Sequence, residues 1–433
     1  MTYKEAITFL YQLQQFGMKF GLQGVETLLN ELGNPHRRLT TIHIAGTNGK
    51  GSTAAMIAAM FTAAGYRTGL YTSPHILRFE ERIRIDGKPI PARTVAGLTS
   101  EIRPIVTKQR NTFFEAVTAL AFRYFADEKV DIAIVETGLG GRLDATNVVK
   151  PLVSVITTIG LEHAHILGNT LQKIAYEKGG IIKPNIPLIT GVTSKEALQE
   201  IKSIAERNNA SLIKVSKGQV EIHCSSLQGS DVSMKTRGGY FKNLHIELPG
   251  IHQILNACMA VEAVLKAAEL GRFLISEKNI RDGLSHTYHY TGFYGRLSVV
   301  KRKPLMLMDV AHNPDAMAAL VQSLQMLGCN AVSAVFGVMR DKDCARISEA
   351  LKPICKELIA VAPKTERAAS TSDIVKIFHS HGIPAVEEHS VVSGLRRALK
   401  EPASAPILIT GSHFVCGEAI AWINGKKYLT INQ

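Results

Sequence analysis

The sequence predicts an α/β protein of two unequal parts. The larger has a mostly parallel sheet with a small antiparallel patch, and a smaller α/β part follows. Three observations carry this. Short β-branched or apolar runs alternate with helical stretches, the pattern of parallel strands joined by crossover helices. That rhythm pauses at a Gly/Tyr/Thr-rich connector near Tyr290 to Leu297 and then restarts. At 433 residues the chain has the length of two domains, and the connector divides it into 1–292 and 293–433.

The elements follow in order. MTYKEAITFLYQLQQFG alternates polar with apolar residues and reads as an amphipathic helix, not a secretory leader. Thr41 to Ala45 is a short buried strand, and STAAMIAAMFTAA is a helix stopped by Gly65. GLYTS is the next strand. FFEAVTALAFRYFADE is a helix leading into the strand DIAIVETG, and LVSVITTIG is a further apolar strand. LQKIAYEKGG is a helix and IPLITG a strand. From Gln219 to Leu248, alternating runs broken by Gly and Ser read as the antiparallel patch. HQILNACMAVEAVLKAAEL is a long helix. Beyond the connector, PLMLMDV, AVSAVFGV, ELIAVAP and PILITGS are strands. DAMAALVQSLQML, ARISEALKPI, SDIVKIFHSHG and VVSGLRRALK are the helices between them.

Composition narrows the function classes. Fifty Lys+Arg against 37 Asp+Glu leave a net charge of +13. This suits anionic partners, or simply a solvated basic surface. No stretch supplies the roughly 20 apolar residues of a membrane helix. The six cysteines are scattered without C-x-x-C spacing, so we expect reduced thiols in a cytoplasmic protein, with neither a disulfide framework nor a zinc site.

The most informative stretch is Gly46-Thr47-Asn48-Gly49-Lys50-Gly51-Ser52, between a strand and a helix. Glycines let backbone N–H groups approach phosphate oxygens. The helix N-terminus adds partial positive charge, Lys50 a full one, and the Ser52 hydroxyl can reach a phosphate or a Mg²⁺ ion. The spacing departs from the common phosphate loop by being shorter before the lysine and by placing Gly51 after it. A glycine-rich turn with a solvated lysine is the plain alternative.

With its flanks, this loop resembles the start of the folylpolyglutamate synthase/dihydrofolate synthase family of Mur-type ATP-dependent amide ligases. The resemblance runs along nearly the whole chain. It is carried by MKFGLQGVETLLNELGNP, TIHIAGTNGKGS, LYTSPHILRFEERI, FFEAVTALAF, ETGLGGRLDATN and GLEHAHILGNTLQKIAYEKGGIIK. It resumes in LPGIHQILNACMA, YGRL, DVAHNPDAM, FGVMRDKD and ILITGS. It implies a P-loop ATPase-like first domain that binds ATP and pterin, and a Rossmann-like second domain.

The resemblance also implies roles for single residues. Glu136, at a strand end, is a ligand of Mg²⁺, with Ser73 as another; a carboxylate there suits a hard cation, and Ser-Pro could equally be a turn. His163 is ligand to a second Mg²⁺, and the family's usual Asp before it is Glu162 here. His165 is incidental. Lys178 is a metal ligand if carbamylated, or a plain ammonium on phosphate. Lys50, Lys178, His163 and Glu136 are thus the catalytic set. Asp144 and Ala145, in the loop from Leu143 to Asn147, line the pterin pocket, unless Asp144 merely makes an Asx turn. Asn256, near Gln253 on the long helix, contacts the nucleotide. So do Arg296 at the connector, Asp309 on the ribose, and His312 on base or phosphate. Tyr294 stands where the family has Pro. Val310 stands for its Gly, so the strand end must be extended there. Lys342, Asp343 and Ser412 are candidates for the glutamate side.

The implied reaction joins L-glutamate to dihydropteroate, to reduced folates, or to both, through an acyl phosphate. ATP is the co-substrate, with two Mg²⁺ and potentially K⁺. The substrates are small molecules, the implied state is a monomer, and neither membrane nor nucleic acid is a partner. A monofunctional member of the pair and a muramyl-type ligase remain open at this point. A basic P-loop NTPase acting on nucleic acid is a third reading, supported by charge alone; the chain has a single Trp and no aromatic-rich basic stretch.

Overall fold

Three sheets organise the computed structural model of the chain, which describes all residues except 18, 20, 272, 401–404, 427 and 429–433. Met18 and Phe20 of the first family-like stretch therefore lie outside the described residues. The large sheet holds β1 (Thr41–Ala45), β2 (Thr68–Tyr71), β3 (Ile83–Ile85), β4 (Lys88–Pro89), β5 (Ile132–Glu136), β6 (Val153–Ile156), β7 (Leu188–Thr190) and β8 (Leu212–Lys214). Their order is β4-β3-β2-β5-β1-β6-β7-β8. Pairing is parallel from β2 to β8 and antiparallel for β2–β3 and β3–β4. The expected antiparallel patch is β9 (Val220–Ser226), β10 (Gly229–Thr236) and β11 (Gly239–Ile246).

The helix Lys50–Ala63 is buried from Gly51 to Phe61. Its Ala-rich sequence is apolar all round, so it must be covered on every side. The sheet covers one side, and the helices Ile251–Glu269 and Glu277–Ser285 cover the other. The helix after the glycine-rich loop is thus the central beam of the first core. A second core lies on the opposite face, under Phe113–Asp127 and the N-terminal helices. The N-terminal helix spans Tyr3–Gln12 and then tightens into a 3₁₀ turn, Leu13–Phe16.

The smaller sheet holds β12 (Ser298–Arg302), β13 (Leu305–Met308), β14 (Val332–Phe336), β15 (Cys355–Val361), β16 (Ala385–Glu388) and β17 (Ile407–Thr410), in the order β12-β13-β17-β14-β15-β16. It is parallel except for the β12–β13 edge. Short edge strands such as β4 and β12 carry few apolar residues, and their runs lack the helix-alternating signature. The first part of the expected connector is a helical turn, Thr287–Thr291.

Several contacts tie the two parts together. Ile76, from the loop after β2, is buried in the core of the second part beside Met306, Met308 and Ile409. Asn48 and Asn313 exchange amide hydrogen bonds at 3.2 and 3.0 Å. The Tyr294 hydroxyl donates to Glu81 at 2.9 Å, and the Ile251 N–H donates to Ser323.

Candidate active site

The cleft between the two parts opens at the carboxyl ends of β1, β5 and β6, where an open parallel sheet characteristically binds ligands. Its volume is about 660 Å³, within the range of nucleotide-sized sites.

The loop from Gly46 to Ser52 forms its floor. Gly46 and Gly49 have φ of 151° and 88°, and a Cβ on Gly49 would overlap the Asn256 side chain. Only glycine satisfies both the backbone and the neighbour there. The loop is pinned from behind. Thr47 N–H donates to Thr158 O at 2.7 Å, Asn48 N–H to Thr158 Oγ1 at 2.9 Å, and Thr157 Oγ1 to Asn48 O at 2.7 Å. The loop therefore holds its shape through the strand beside it.

Two lysines meet at one carbonyl. Lys50 Nζ donates to Gly46 O at 3.0 Å and to Thr47 O at 3.1 Å; Lys178 Nζ donates to the same Gly46 O at 2.8 Å. Burial, and then the Lys50 ammonium, push the Lys178 pKa down to about 7. Glu136, at the end of β5, accepts the Ser73 N–H at 3.1 Å. Burial raises its pKa, against the opposing pull of Lys50, the Ser73 N–H and Arg296.

A buried carboxylate of this kind favours a cation. Ser52, Ser73 and Glu136 line the same part of the cleft, an oxygen-rich donor set of the type Mg²⁺ takes with nucleotide phosphates. No group of three His, Cys, Asp or Glu gathers as a self-contained metal cage among the described residues. His163 also lines the cleft, in a left-handed backbone conformation at φ 51°. Burial, with the Lys342 charge, lowers its pKa to about 4, leaving a neutral imidazole able to ligate.

The second part contributes the opposite wall. Arg296, Asp309 and His312 line the cleft together with Asn256. Arg296 lies over the Phe293 ring, 5.0 Å from its centroid. Both Asp309 oxygens accept backbone N–H groups, from Leu297 and from Ala311, each at 2.8 Å. Asp309 therefore shapes the strand end as well as facing the cleft. Val310 is not among the residues with positive φ, consistent with the extended backbone expected there.

Other expected residues stand differently. Asp144 and Ala145 are not among the residues lining the cleft. The Asp144 carboxylate accepts N–H groups of Gly138, Leu139 and Thr146 at 2.9, 2.8 and 3.0 Å, and the Thr146 hydroxyl at 2.5 Å. The geometry is that of the Asx-type turn; its acceptors are taken up by the loop rather than turned to a ligand. Ser412 caps the helix His413–Ile423 through the Val415 N–H. Asp343 likewise caps Cys344–Leu351. Lys342 points to Glu162, at 3.0 Å.

Two features escaped the sequence reading. Glu162 is an inter-domain ion-pair centre, since its Oε1 lies 3.0 Å from Lys342 Nζ and 3.1 Å from His312 Nε2. Burial would raise its pKa, but His312 and then Lys342 hold it well below the usual carboxylate range. The second feature is the apolar end of the cleft. Val220 and Ile222 from β9, Ile251 and Leu255 from the long helix, and Ala316 and Ala319 from Pro314–Met326 form an apolar slot. The alternation in QVEIHCS marked a strand but not what it faced.

Comparison with known proteins adds to this geometry. Residues 44–264 match the Mur ligase middle domain, and residues 295–413 match the Mur ligase glutamate ligase domain. The dihydrofolate synthase/folylpolyglutamate synthase of Bacillus subtilis is 37% identical over 381 residues, covering 86% of this chain and 88% of the relative. The Mycobacterium tuberculosis folylpolyglutamate synthase structure with ADP superposes with a TM-score of 0.88 at 30% identity, over 100% of both chains. The structure of E. coli FolC in complex with DHPP and ADP superposes with a TM-score of 0.85 at 28% identity, over 97% of this chain and 98% of that one.

Proposed function

This chain belongs to the folylpolyglutamate synthase/dihydrofolate synthase family, and on that premise we propose that its cleft performs both glutamate additions of the family. The chain is an ATP-dependent ligase that joins L-glutamate to folates. The finer reading is that it accepts both dihydropteroate and reduced folates.

One observation carries the ligase reading. A phosphate loop with Lys50 faces the buried Glu136 across one cleft, and Arg296 and His312 close the cleft from the second part. An amide from a carboxylate needs a leaving group. The acceptor carboxylate attacks the γ-phosphorus of ATP, forming an acyl phosphate and expelling ADP. The glutamate amine then displaces phosphate through a tetrahedral intermediate, releasing a proton.

The loop N–H groups and Lys50 hold and neutralise the phosphates. Arg296 adds a second cation from the other side. The apolar slot takes the base, with His312 beside it. Closure over the cleft shields the acyl phosphate from water. Glu136, Ser73 and His163 would hold Mg²⁺, joined by Lys178 as its carbamate. Bound there, Mg²⁺ would supply charge neutralisation for the approach of two anions. K⁺ is assigned no residues.

We also propose the division at 292/293, a monomeric state, and a cytoplasmic setting. All six cysteines are free thiols, and no helix among the described residues is long and apolar enough to cross a membrane.

The test is Mg·ATP-dependent phosphate release with L-glutamate, comparing 7,8-dihydropteroate with tetrahydrofolate. Activity on both is expected, with Glu136→Gln and Lys178→Ala each reduced by at least ~10²-fold. Activity on one acceptor alone makes the chain monofunctional. Silence on both, with ATP still bound, overturns the substrate reading.

A further inference from the structure

A second, smaller cavity lies behind the cleft and shares Pro74, Arg296 and His413 with it. We propose that this cavity docks a substrate carboxylate that the reaction leaves intact, with Arg84 as its principal partner. The inference rests on the reading in the preceding section.

Arg84 is carried on β3, paired with Leu70 of β2. It is only 4% exposed, yet its Nε has no hydrogen-bond partner among the described residues. Glu81 is the acid whose charge reaches it. The Glu81 oxygens are already taken by the N–H groups of Ile76, Leu77 and Arg78 and by the Tyr294 hydroxyl. Two more guanidinium groups stand close by. Arg82 spends its Nε on His75 and lies over Phe113; Arg296 donates to Gly295 O and lies over Phe293. Arg84 and Arg296 thus line the cavity with one carboxylate, Glu81, that is already committed.

A buried guanidinium Nε without an acceptor is costly, and a protein that keeps one gains when an acceptor arrives. The cavity measures about 20 Å³, room for a small polar group only. The guanidinium fork matches a carboxylate in two parallel hydrogen bonds. The shared wall sets this cavity next to the part of the cleft lined by Glu136 and Ser73. Both substrates can supply such a group: L-glutamate through its carboxylates, or a folate through the α-carboxylate of its glutamyl tail.

The test is steady-state ligation by Arg84→Met and Arg84→Lys, with thermal unfolding of each. In Arg84→Met we expect the KM of one substrate to rise about 10- to 100-fold, with kcat changed far less, the ATP Kd unchanged, and Arg84→Lys intermediate. Dihydropteroate has no spare carboxylate. A raised KM for L-glutamate with that acceptor therefore places glutamate in the cavity. A rise confined to the KM of tetrahydrofolate places the folate tail there. Unchanged KM values for both overturn the proposal, and a fall in Tm without either change makes Arg84 structural. If Arg84→Met does not fold, Arg84→Lys decides on the same KM readings. If the wild-type chain ligates no acceptor, the preceding reading fails by itself. The site is then judged by whether L-glutamate raises the Tm of wild type but not of Arg84→Lys; equal shifts overturn it.

Discussion

Glu162→Gln tests how the two parts are held over the cleft. Glu162 and Lys342 have side chains only 11% and 10% exposed, and His312 is 28% exposed. Removing one partner from a buried ion pair costs about 3–5 kcal/mol, because the other charge stays buried and unmatched. The partial exposure of His312 argues for the lower figure, about 3 kcal/mol, or a factor of ~10² in the docking equilibrium. Gln keeps the size and loses the charge. The expected result is a fall in kcat/KM for ligation of up to ~10²-fold, with a larger radius of gyration in X-ray scattering as the parts separate. Lys342→Met should do much the same, and the double variant should be little worse than either single one, since both remove one interaction. The pH sign follows from the depressed Glu162 pKa. The contribution is present above the ordinary carboxylate value of about 4 and is lost only as pH falls through the lower folded value. Docking should therefore persist through mildly acidic solution. Unchanged ligation together with unchanged scattering in Glu162→Gln would refute the argument.

Lys178, with its pKa lowered to about 7, is an ammonium below that pH and a neutral amine above it, and only the neutral amine adds to CO₂. A carbamate signal from ¹³C-labelled bicarbonate should therefore appear at about pH 8 and be lost at about pH 6, and Lys178→Ala should show none. The same shift means the folded chain gains stability as pH rises from about 7 towards the unfolded lysine value of about 10.4. Asp144→Asn replaces one acceptor oxygen with an NH₂ facing backbone N–H groups. It should cost about 3 kcal/mol and lower the thermal midpoint by several degrees. An unchanged midpoint with lost dihydropteroate binding would instead return Asp144 to the pterin pocket.

Local chemistry was legible in the sequence. Glycines before a lysine at a strand–helix junction read as a phosphate loop, because the conformation that glycine alone adopts lies within seven consecutive residues. The alternation of strands and helices was legible for the same reason, since its period is written along the chain. The antiparallel edges β3–β4 and β12 were not, because short strands on a sheet rim carry too little pattern. Asp144 read as a pterin contact, with a turn as the plain alternative. The four donors around its carboxylate come from the loop's tertiary arrangement, which no local pattern announces.

What the sequence determined by itself was therefore the class of fold, the glycine-rich loop at the strand–helix junction and the family. These depend on residues close together in the chain. What only the tertiary structure decided was which distant residues share a space. Glu162 meets Lys342 across 180 positions, and Asn48 meets Asn313 across 265. Ile76 sits in the other part's core, and the buried Arg84 Nε has no hydrogen-bond partner among the described residues. Burial and pairing of charge are properties of that shared space, so no local pattern announces them.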